Sequence, residues 1–190
     1  MIKITLPDGS VKEVPQGTSA MEIAKSISHG LARNVLSASF NGKTVEASTP
    51  LTEDGSLILY TWENPEGKTA FWHSSAHVLA QTIQQMYPNS KLTIGPAIEN
   101  GFYYDVDFGE DSLGDADFAK IEKGMLENAR QKADFKMRSV SKADALKEYE
   151  GNEFKTELIE NLEDGEITFC DHSDFTDLCR GGHLPNTGLI

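Results

Sequence analysis

The chain has 190 residues, enough for one large domain or two small ones, and its 38% hydrophobic and 25% charged residues are ordinary for a globular protein. The formal net charge of −13 disfavours general binding to nucleic acid backbones, because affinity for phosphate comes mainly from lysine and arginine. Residues 1–62 hold five basic and six acidic side chains, and the remainder holds twelve and twenty-four. Any contact with nucleic acid is therefore expected to be local.

Features of export and membrane insertion are missing from the sequence. No apolar run approaches the ~20 residues of a membrane-spanning helix. The start of the chain alternates in the manner of a β-strand and lacks the basic and apolar regions of a signal peptide. The two cysteines have no CxxC spacing and suggest no disulfide framework. We therefore expect a cytoplasmic protein without a membrane partner.

Residues 1–62 have the pattern of a small α+β domain. Alternating apolar residues on both sides of the Asp8-Gly9 turn predict a β-hairpin. Ser19 and Glu22 form a capping-box pattern that opens a helix ending near Gly30. A second hairpin is expected around Asn41-Gly42, and residues 57–60 predict a last strand. This order predicts a β-grasp, ubiquitin-like domain, in which we see no clustered histidines, cysteines or paired carboxylates and expect no chemistry.

A short linker with proline and glycine, residues 63–68, separates this domain from a second α+β domain at residues 69–190. The elements expected in the second domain are a helix at residues 69–87, strands at 92–98 and 101–108, a helix capped by Asp115 that runs to about residue 133, a strand at 137–140, a short helix capped by Ser141, a helix at 153–162 and a strand at 167–170.

Three of the five histidines and one of the two cysteines fall in two short segments. His73 and His77 are four residues apart in an apolar, helix-forming run, so a helix would place them on one face. Cys179 and His183 have the same spacing downstream. Three imidazoles and a thiolate can hold zinc in a tetrahedral site. Ser74 excludes the HExxH motif of metalloproteases, in which a glutamate follows the first histidine.

Several interpretations of these residues remain open. His73 and His77 alone could be buried, hydrogen-bonded core histidines, but the second segment favours a site. Asp177 is a candidate for orienting a histidine or binding a substrate amine, and Lys155 for holding a carbonyl or phosphate oxygen; taken alone, each is typical of a surface charge. Cys179 could act as nucleophile, ligand or recognition group. The aromatic run at residues 102–104 could stack a base or belong to a strand core.

Three segments carry a resemblance to a known family. They read HSSAH at residues 73–77, GPAIENGFYYD at 95–105 and FTDLCRGGHLP at 175–185. Together they resemble the editing domain of bacterial threonyl-tRNA synthetases, and residues 1–62 resemble the TGS domain. The resemblance covers essentially the whole chain. The editing domain of alanyl-tRNA synthetases is similar through the same HxxxH and CxxxH pairs, and there the set holds zinc. The threonyl branch implies a pocket that works without metal.

This resemblance implies proofreading, the hydrolysis of the ester that joins serine to tRNA(Thr). His73 is the group expected to position or activate water, and Lys155 is expected to orient water or stabilise the oxyanion. The side chains expected to bind the seryl group and exclude the methyl of threonine are His77, Asp177, Cys179 and His183. Zinc, if it binds, is expected on His73, His77, Cys179 and His183. Editing itself is expected to need no cofactor.

Members of this family are longer. The resemblance implies an N-terminal fragment that stops at Ile190, inside the editing region, ahead of a class II catalytic domain and an anticodon-binding domain. ATP, Mg²⁺ and the catalytic zinc would belong to the catalytic domain, which would ligate threonine to tRNA. Full-length relatives imply a homodimer through that domain, and the fragment is expected to be monomeric.

Two other functions remain open on the residues alone. The first is a zinc-dependent hydrolase that acts on a small ester or on alanyl-tRNA errors. The second is an RNA-binding TGS module without catalysis.

Overall fold

A computed structural model describes residues 1–190 and divides them into two compact units. The first unit comprises Met1–Phe71 and Gly182–Pro185, and the second comprises Trp72–Gly181 and Asn186–Ile190. The elements are β1 (Ile2–Thr5), β2 (Val11–Val14), α1 (Ala20–Ile27), α2 (His29–Asn34), β3 (Ser37–Phe40), β4 (Lys43–Val45), β5 (Gly55–Tyr60), α3 (Pro65–Met86), β6 (Lys91–Leu92), β7 (Ala97–Ile98), β8 (Gly101–Phe102), β9 (Val106–Asp107), α4 (Asp115–Arg130), β10 (Lys136–Ser139), α5 (Lys142–Glu148), α6 (Glu153–Glu160), β11 (Thr168–His172), β12 (Phe175–Leu178) and a 3₁₀ turn (Thr187–Leu189).

The first unit is built on a five-stranded mixed sheet with the strand order β2-β1-β5-β3-β4. β1 pairs in parallel with β5, and the remaining pairs are antiparallel. The alternation of apolar residues that predicts the first hairpin also places Ile4 in the core, where it clusters with Ile23 of α1 and Leu57 of β5. The predicted α+β class and its β-grasp arrangement are confirmed.

The helical part of the first unit differs from the prediction at its end. The capping box at Ser19 forms as expected, with the Glu22 N–H donating to Ser19 Oγ and the Glu22 carboxylate accepting from the Ser19 N–H. The helix stops at Ile27 rather than near Gly30, because Ser28 is extended and caps a second helix through the N–H of Leu31. The single helix that the sequence predicts is therefore two helices in the structure, α1 and α2.

The helix α3 begins at Pro65, four residues before the predicted start at Thr69. Proline suits the first turn of a helix, since its missing N–H would have no partner there. The helix ends at Met86, ahead of the helix-breaking Pro88. Although α3 has 22 residues, no helix of the protein is both long enough and apolar enough to cross a membrane.

Two strands predicted in the second unit are broken into four short ones. β6 pairs with β9 and β7 with β8, and the interruptions fall at residues 93–96 and 103–105. The prediction for α4 was wrong at both ends: Gly114 is the N-cap, with its N–H donating to Asp117, and the helix stops at Arg130. The interruption at residues 103–105 matters for function, because it contains Tyr104, a residue of the candidate site.

The last part of the second unit is a three-stranded antiparallel sheet with the order β10-β11-β12. β10 and β11 were predicted, whereas β12 was not, because its residues were read as part of the cysteine-histidine segment. Ile159 of α6 and Phe169 of β11 share a core with Ala145 of α5. The cysteine-histidine segment continues directly from the last strand of this sheet.

We predict that Ser19→Ala lowers the free energy of unfolding of the first unit by about 1 kcal/mol, because the first turn of α1 loses its capping hydrogen bonds. A urea titration that follows the amide resonances of residues 20–27 measures the change. Ser48→Ala is the matched control, since Ser48 is exposed in a turn. Equal stabilities of the two variants would contradict the capping role.

Candidate active site

Helix α3 positions the first two candidate residues. His73 and His77 are one turn apart, as the sequence predicts, and their Nε2 atoms lie 3.2 Å apart. The two differ in access, because His77 is buried and His73 is half-buried. Of this pair, His73 is the side chain that solvent and a ligand can reach.

The hairpin of β11 and β12 positions two further candidate residues, Asp177 and Cys179. Asp177 pairs with Cys170 across the hairpin and faces the interior. Cys179 follows β12 and is fixed by Thr168, which accepts its N–H at 3.0 Å and donates its own hydroxyl to the Cys179 carbonyl. The Cys179 Sγ lies 3.3 Å from His73 Nε2 and 3.4 Å from the N–H of Gly181. The thiol and the two imidazoles are therefore neighbours.

Asp177 is the centre of a buried polar cluster. Its Oδ1 accepts from Lys155 Nζ at 2.5 Å, and its Oδ2 accepts from the Tyr104 hydroxyl at 2.6 Å. The side chains of Lys155 and Asp177 are only 2% and 5% exposed. His77 Nδ1 lies 3.6 Å from Oδ2. The carboxylate thus balances the charge of a buried lysine and lies close to one of the histidines.

The position of Lys155 depends on the start of α6. Asn152 caps this helix by accepting the Lys155 N–H at 3.2 Å, and its amide donates to the carbonyl of Leu92 at 2.9 Å. The ammonium group lies 5.7 Å from the centre of the Tyr149 ring, which is a cation–π distance. Burial raises the pKa of the Tyr149 phenol, so the ring stays neutral beside the cluster.

Tyr104 is a site residue that the sequence did not indicate, because the run at residues 102–104 suggested a strand core or a base-stacking surface. Burial, together with the neighbouring Asp177 carboxylate, raises the pKa of Tyr104 well above that of a free phenol. The phenol therefore stays protonated and donates to the carboxylate. A buried tyrosine hydroxyl needs a hydrogen-bond partner. This requirement is the signal that could have identified Tyr104 as a residue of the site.

A glycine makes room for Tyr104. A Cβ built at Gly95 would lie 2.1 Å from Cδ2 of the Tyr104 ring, a distance that no side chain tolerates. The neighbouring aromatic residues have other environments: Phe102 packs near Trp72 with ring centroids 6.2 Å apart, and Tyr103 is exposed. Base stacking by these rings stays a prediction.

His183 belongs to the first unit, where its ring is fully buried. Its Nδ1 lies 3.0 Å from Glu46 Oε1, and its N–H donates to Glu46 Oε2 at 2.9 Å. The sequence predicts no chemistry in the first 62 residues and therefore gives no indication of this contact.

Within the second unit, the donor atoms of His73, His77 and Cys179 all lie within 4.8 Å of one another. Zinc bonds of about 2.0–2.3 Å in a tetrahedral site place ligand atoms roughly 3.3–3.8 Å apart, and the measured separations of 3.2 and 3.3 Å are close to that. Asp177 beside His77 and the Gly181 N–H on Cys179 would serve as supporting contacts around a metal. The residues therefore form a candidate metal-binding group of the expected type.

The cluster around Asp177 has the features of a catalytic site rather than of a surface. It combines a buried ion pair, a phenol held protonated and a solvent-accessible imidazole beside a thiol. Comparison with known proteins indicates which proteins the chain is similar to. Residues 2–61 match the TGS domain family. The relatives found are aminoacyl-tRNA ligases, which join an amino acid to its tRNA.

All of these relatives are ligases for the same amino acid, threonine. The chain is 67% identical over its full length to the threonine–tRNA ligase of Flavobacterium johnsoniae, of which it covers 29%. It is 55% identical to the enzyme of Parabacteroides distasonis and 50% identical to that of Bacteroides fragilis, and it covers 30% of each while being matched in full. The whole chain is therefore similar to part of these threonine–tRNA ligases, and it spans less than a third of the length of these curated relatives.

We predict that Lys155→Met and Asp177→Asn each lower the free energy of unfolding by about 3–5 kcal/mol, because each leaves a buried charged group without its counter-ion. The double variant should lose less than the sum, since neither charge then remains. Denaturant titrations of all four proteins test this coupling.

The exposed pair of Lys91 and Glu153, with Nζ 2.7 Å from the carboxylate, is the matched control. Lys91→Met should change the free energy of unfolding by less than about 1 kcal/mol, because solvent screens this pair. Strictly additive losses at Lys155 and Asp177 would contradict a coupled buried pair.

Proposed function

We propose that this chain proofreads for a threonine–tRNA ligase by hydrolysing the ester between serine and tRNA(Thr). The observation that carries the proposal is the position of His73, which is accessible and lies within hydrogen-bonding distance of His77 and Cys179. The full-length enzyme would ligate threonine to this tRNA with ATP, and both steps would take place in the cytoplasm. Neither Cys170 nor Cys179 forms a disulfide bond, which suits that compartment.

The need for a hydrolytic site follows from the size of one methyl group. A synthetic site that binds the hydroxyl and amine of threonine also accepts serine, since one missing methyl gives only about 1–3 kcal/mol of selectivity. A second site must admit the seryl ester and exclude the threonyl ester. Close contacts around Asp177 and Cys179 are suited to that exclusion, because both side chains are held from several directions.

His73 is the proposed general base. The neutral form of an imidazole has a ring nitrogen with a lone pair, so Nε2 of His73 can accept a proton from the attacking water. Alternatively, the ribose hydroxyl next to the ester passes on the proton that the attacking water loses. The electrons of the C–O bond leave with the ribose oxygen, which takes up a proton, and serine is released.

The remaining residues bind and orient. We propose that Asp177 binds the seryl amine and that Lys155, paired with it, orients water and stabilises the oxyanion. Tyr104 would hold the Asp177 carboxylate in place through its 2.6 Å hydrogen bond. His77, Cys179 and His183 complete the proposed wall against the methyl group; His183 follows Cys179 by four residues.

A zinc-dependent hydrolase is the second candidate, favoured by the three donor atoms within 4.8 Å. His73, His77 and Cys179 would hold the metal, with His183 as the proposed fourth ligand. Bound zinc would polarise a carbonyl or acidify a water molecule. A set of four protein ligands would instead describe a closed structural site.

We predict fast release of serine from seryl-tRNA(Thr) and slow release of threonine from threonyl-tRNA(Thr) at equal concentrations. His73→Ala should slow the seryl reaction about 10²–10⁴-fold, because it removes the general base. His29→Ala is the matched control, since His29 is exposed in α2. An unchanged rate in His73→Ala would contradict the mechanism and favour an RNA-binding module without catalysis.

Hydrolysis is expected to survive removal of metal. After dialysis against EDTA, the chain should retain its rate on seryl-tRNA(Thr), and added zinc should not raise it. Loss of activity on chelation, with recovery at one equivalent of zinc, would replace this mechanism by the zinc-dependent one. Cys179→Ser separates the two further, because it should weaken zinc binding strongly while leaving a hydroxyl of similar size.

A further inference from the structure

Glu46, just after β4 in the first unit, accepts three hydrogen bonds from two consecutive residues. Its Oε1 lies 3.0 Å from the N–H of Gly182 and 3.0 Å from His183 Nδ1, and its Oε2 accepts the N–H of His183 at 2.9 Å. The side chain of Glu46 is 11% exposed and that of His183 is fully buried. One carboxylate thus holds both the backbone and the ring of His183.

The chain conformation at this point serves the same contact. Gly181 and Gly182 have φ of 94° and 89°, in the left-handed region that glycine adopts without strain. This backbone directs two successive N–H groups toward one acceptor, as in the concave anion-binding arrangements formed by consecutive amides. Here a side-chain carboxylate occupies that position.

The contact decides which ring nitrogen carries the proton. A carboxylate offers only acceptors, so the ring nitrogen beside it must donate. In a neutral imidazole, a proton on Nδ1 leaves Nε2 with a lone pair. Carboxylates that accept from one nitrogen of a histidine are known to fix its tautomer and its orientation when the other nitrogen acts as a ligand or an acceptor.

We propose that Glu46 is a positioning residue that fixes His183 as the Nδ1–H tautomer and so presents the Nε2 lone pair as an acceptor. The importance of this for editing rests on the proposed function, in which His183 contacts the seryl group. Glu46 itself touches no substrate. Glu46 and His183 belong to the same unit, so this unit sets the tautomer of its own histidine through a single side chain.

Glutamine at position 46 cannot replace the carboxylate. Three donors face Glu46, and an amide has one oxygen, so its NH₂ group would face at least one N–H. With the NH₂ group toward the ring, Nδ1 would have to accept and the proton would move to Nε2. With the oxygen toward the ring, the NH₂ group would instead face the His183 N–H. Glu46→Gln therefore keeps the size of the side chain but no longer selects the Nδ1–H tautomer. Glu46→Asp keeps the carboxylate on a shorter side chain.

The test is the tautomer of His183, measured at neutral pH by long-range ¹H–¹⁵N correlation spectra of the ¹⁵N-labelled chain, with His183→Gln used to assign the signals. The wild-type spectrum should show Nδ1 protonated and Nε2 unprotonated. Glu46→Gln should lose that pattern and Glu46→Asp should retain it. Glu53→Gln, at an exposed glutamate, should match the wild type.

Two results would overturn the proposal: a wild-type His183 with a proton on Nε2, alone or with Nδ1, or the wild-type pattern persisting in folded Glu46→Gln. If Glu46→Gln does not fold, the wild-type and Glu46→Asp spectra still decide.

The rate of seryl-tRNA(Thr) hydrolysis gives a second readout. Glu46→Gln should lower the rate at saturating substrate about 10–100-fold, and Glu46→Asp should restore part of it. A wild-type chain that hydrolyses no ester would contradict the proposed function, whereas the spectra would still report on the tautomer. The two proposals therefore fail separately.

Discussion

The site depends above all on the ion pair between Lys155 and Asp177. Both side chains are withdrawn from solvent, and charges in such surroundings are stable only when each is matched and hydrogen-bonded. The Tyr104 hydroxyl donates a hydrogen bond to the Asp177 carboxylate, and His77 lies beside the same carboxylate. The lysine neutralises the charge of the carboxylate, and the geometry of the whole cluster depends on that one match.

Three remote parts of the second unit meet at this pair. Tyr104 comes from the break between β8 and β9, Lys155 from the first turn of α6, and Asp177 from β12. Two of these parts have further hydrogen bonds that hold them in place, since Asn152 caps the helix and Thr168 holds the end of the strand. Rigid placement of this kind limits the reorganisation that a reaction would otherwise require.

The elements with a strong local signal could be predicted from the sequence. The hairpins, the capping box at Ser19 and the facing positions of His73 and His77 depend on spacing within a few residues. The cluster around Asp177 could not be assembled in this way, because its partners at positions 104 and 155 are 73 and 22 residues distant. Glu46 carried no signal at all, as an isolated glutamate after a hairpin strand resembles any solvated charge.

The close approach of Gly95 to the Tyr104 ring has a consequence for how the sequence of this site can change. A side chain at position 95 would displace the ring, and a smaller residue at position 104 would leave a gap and remove a donor from Asp177. Neither position can be altered first without damage. The two are expected to covary across related sequences, and a lineage that abandons the tyrosine should also release the glycine.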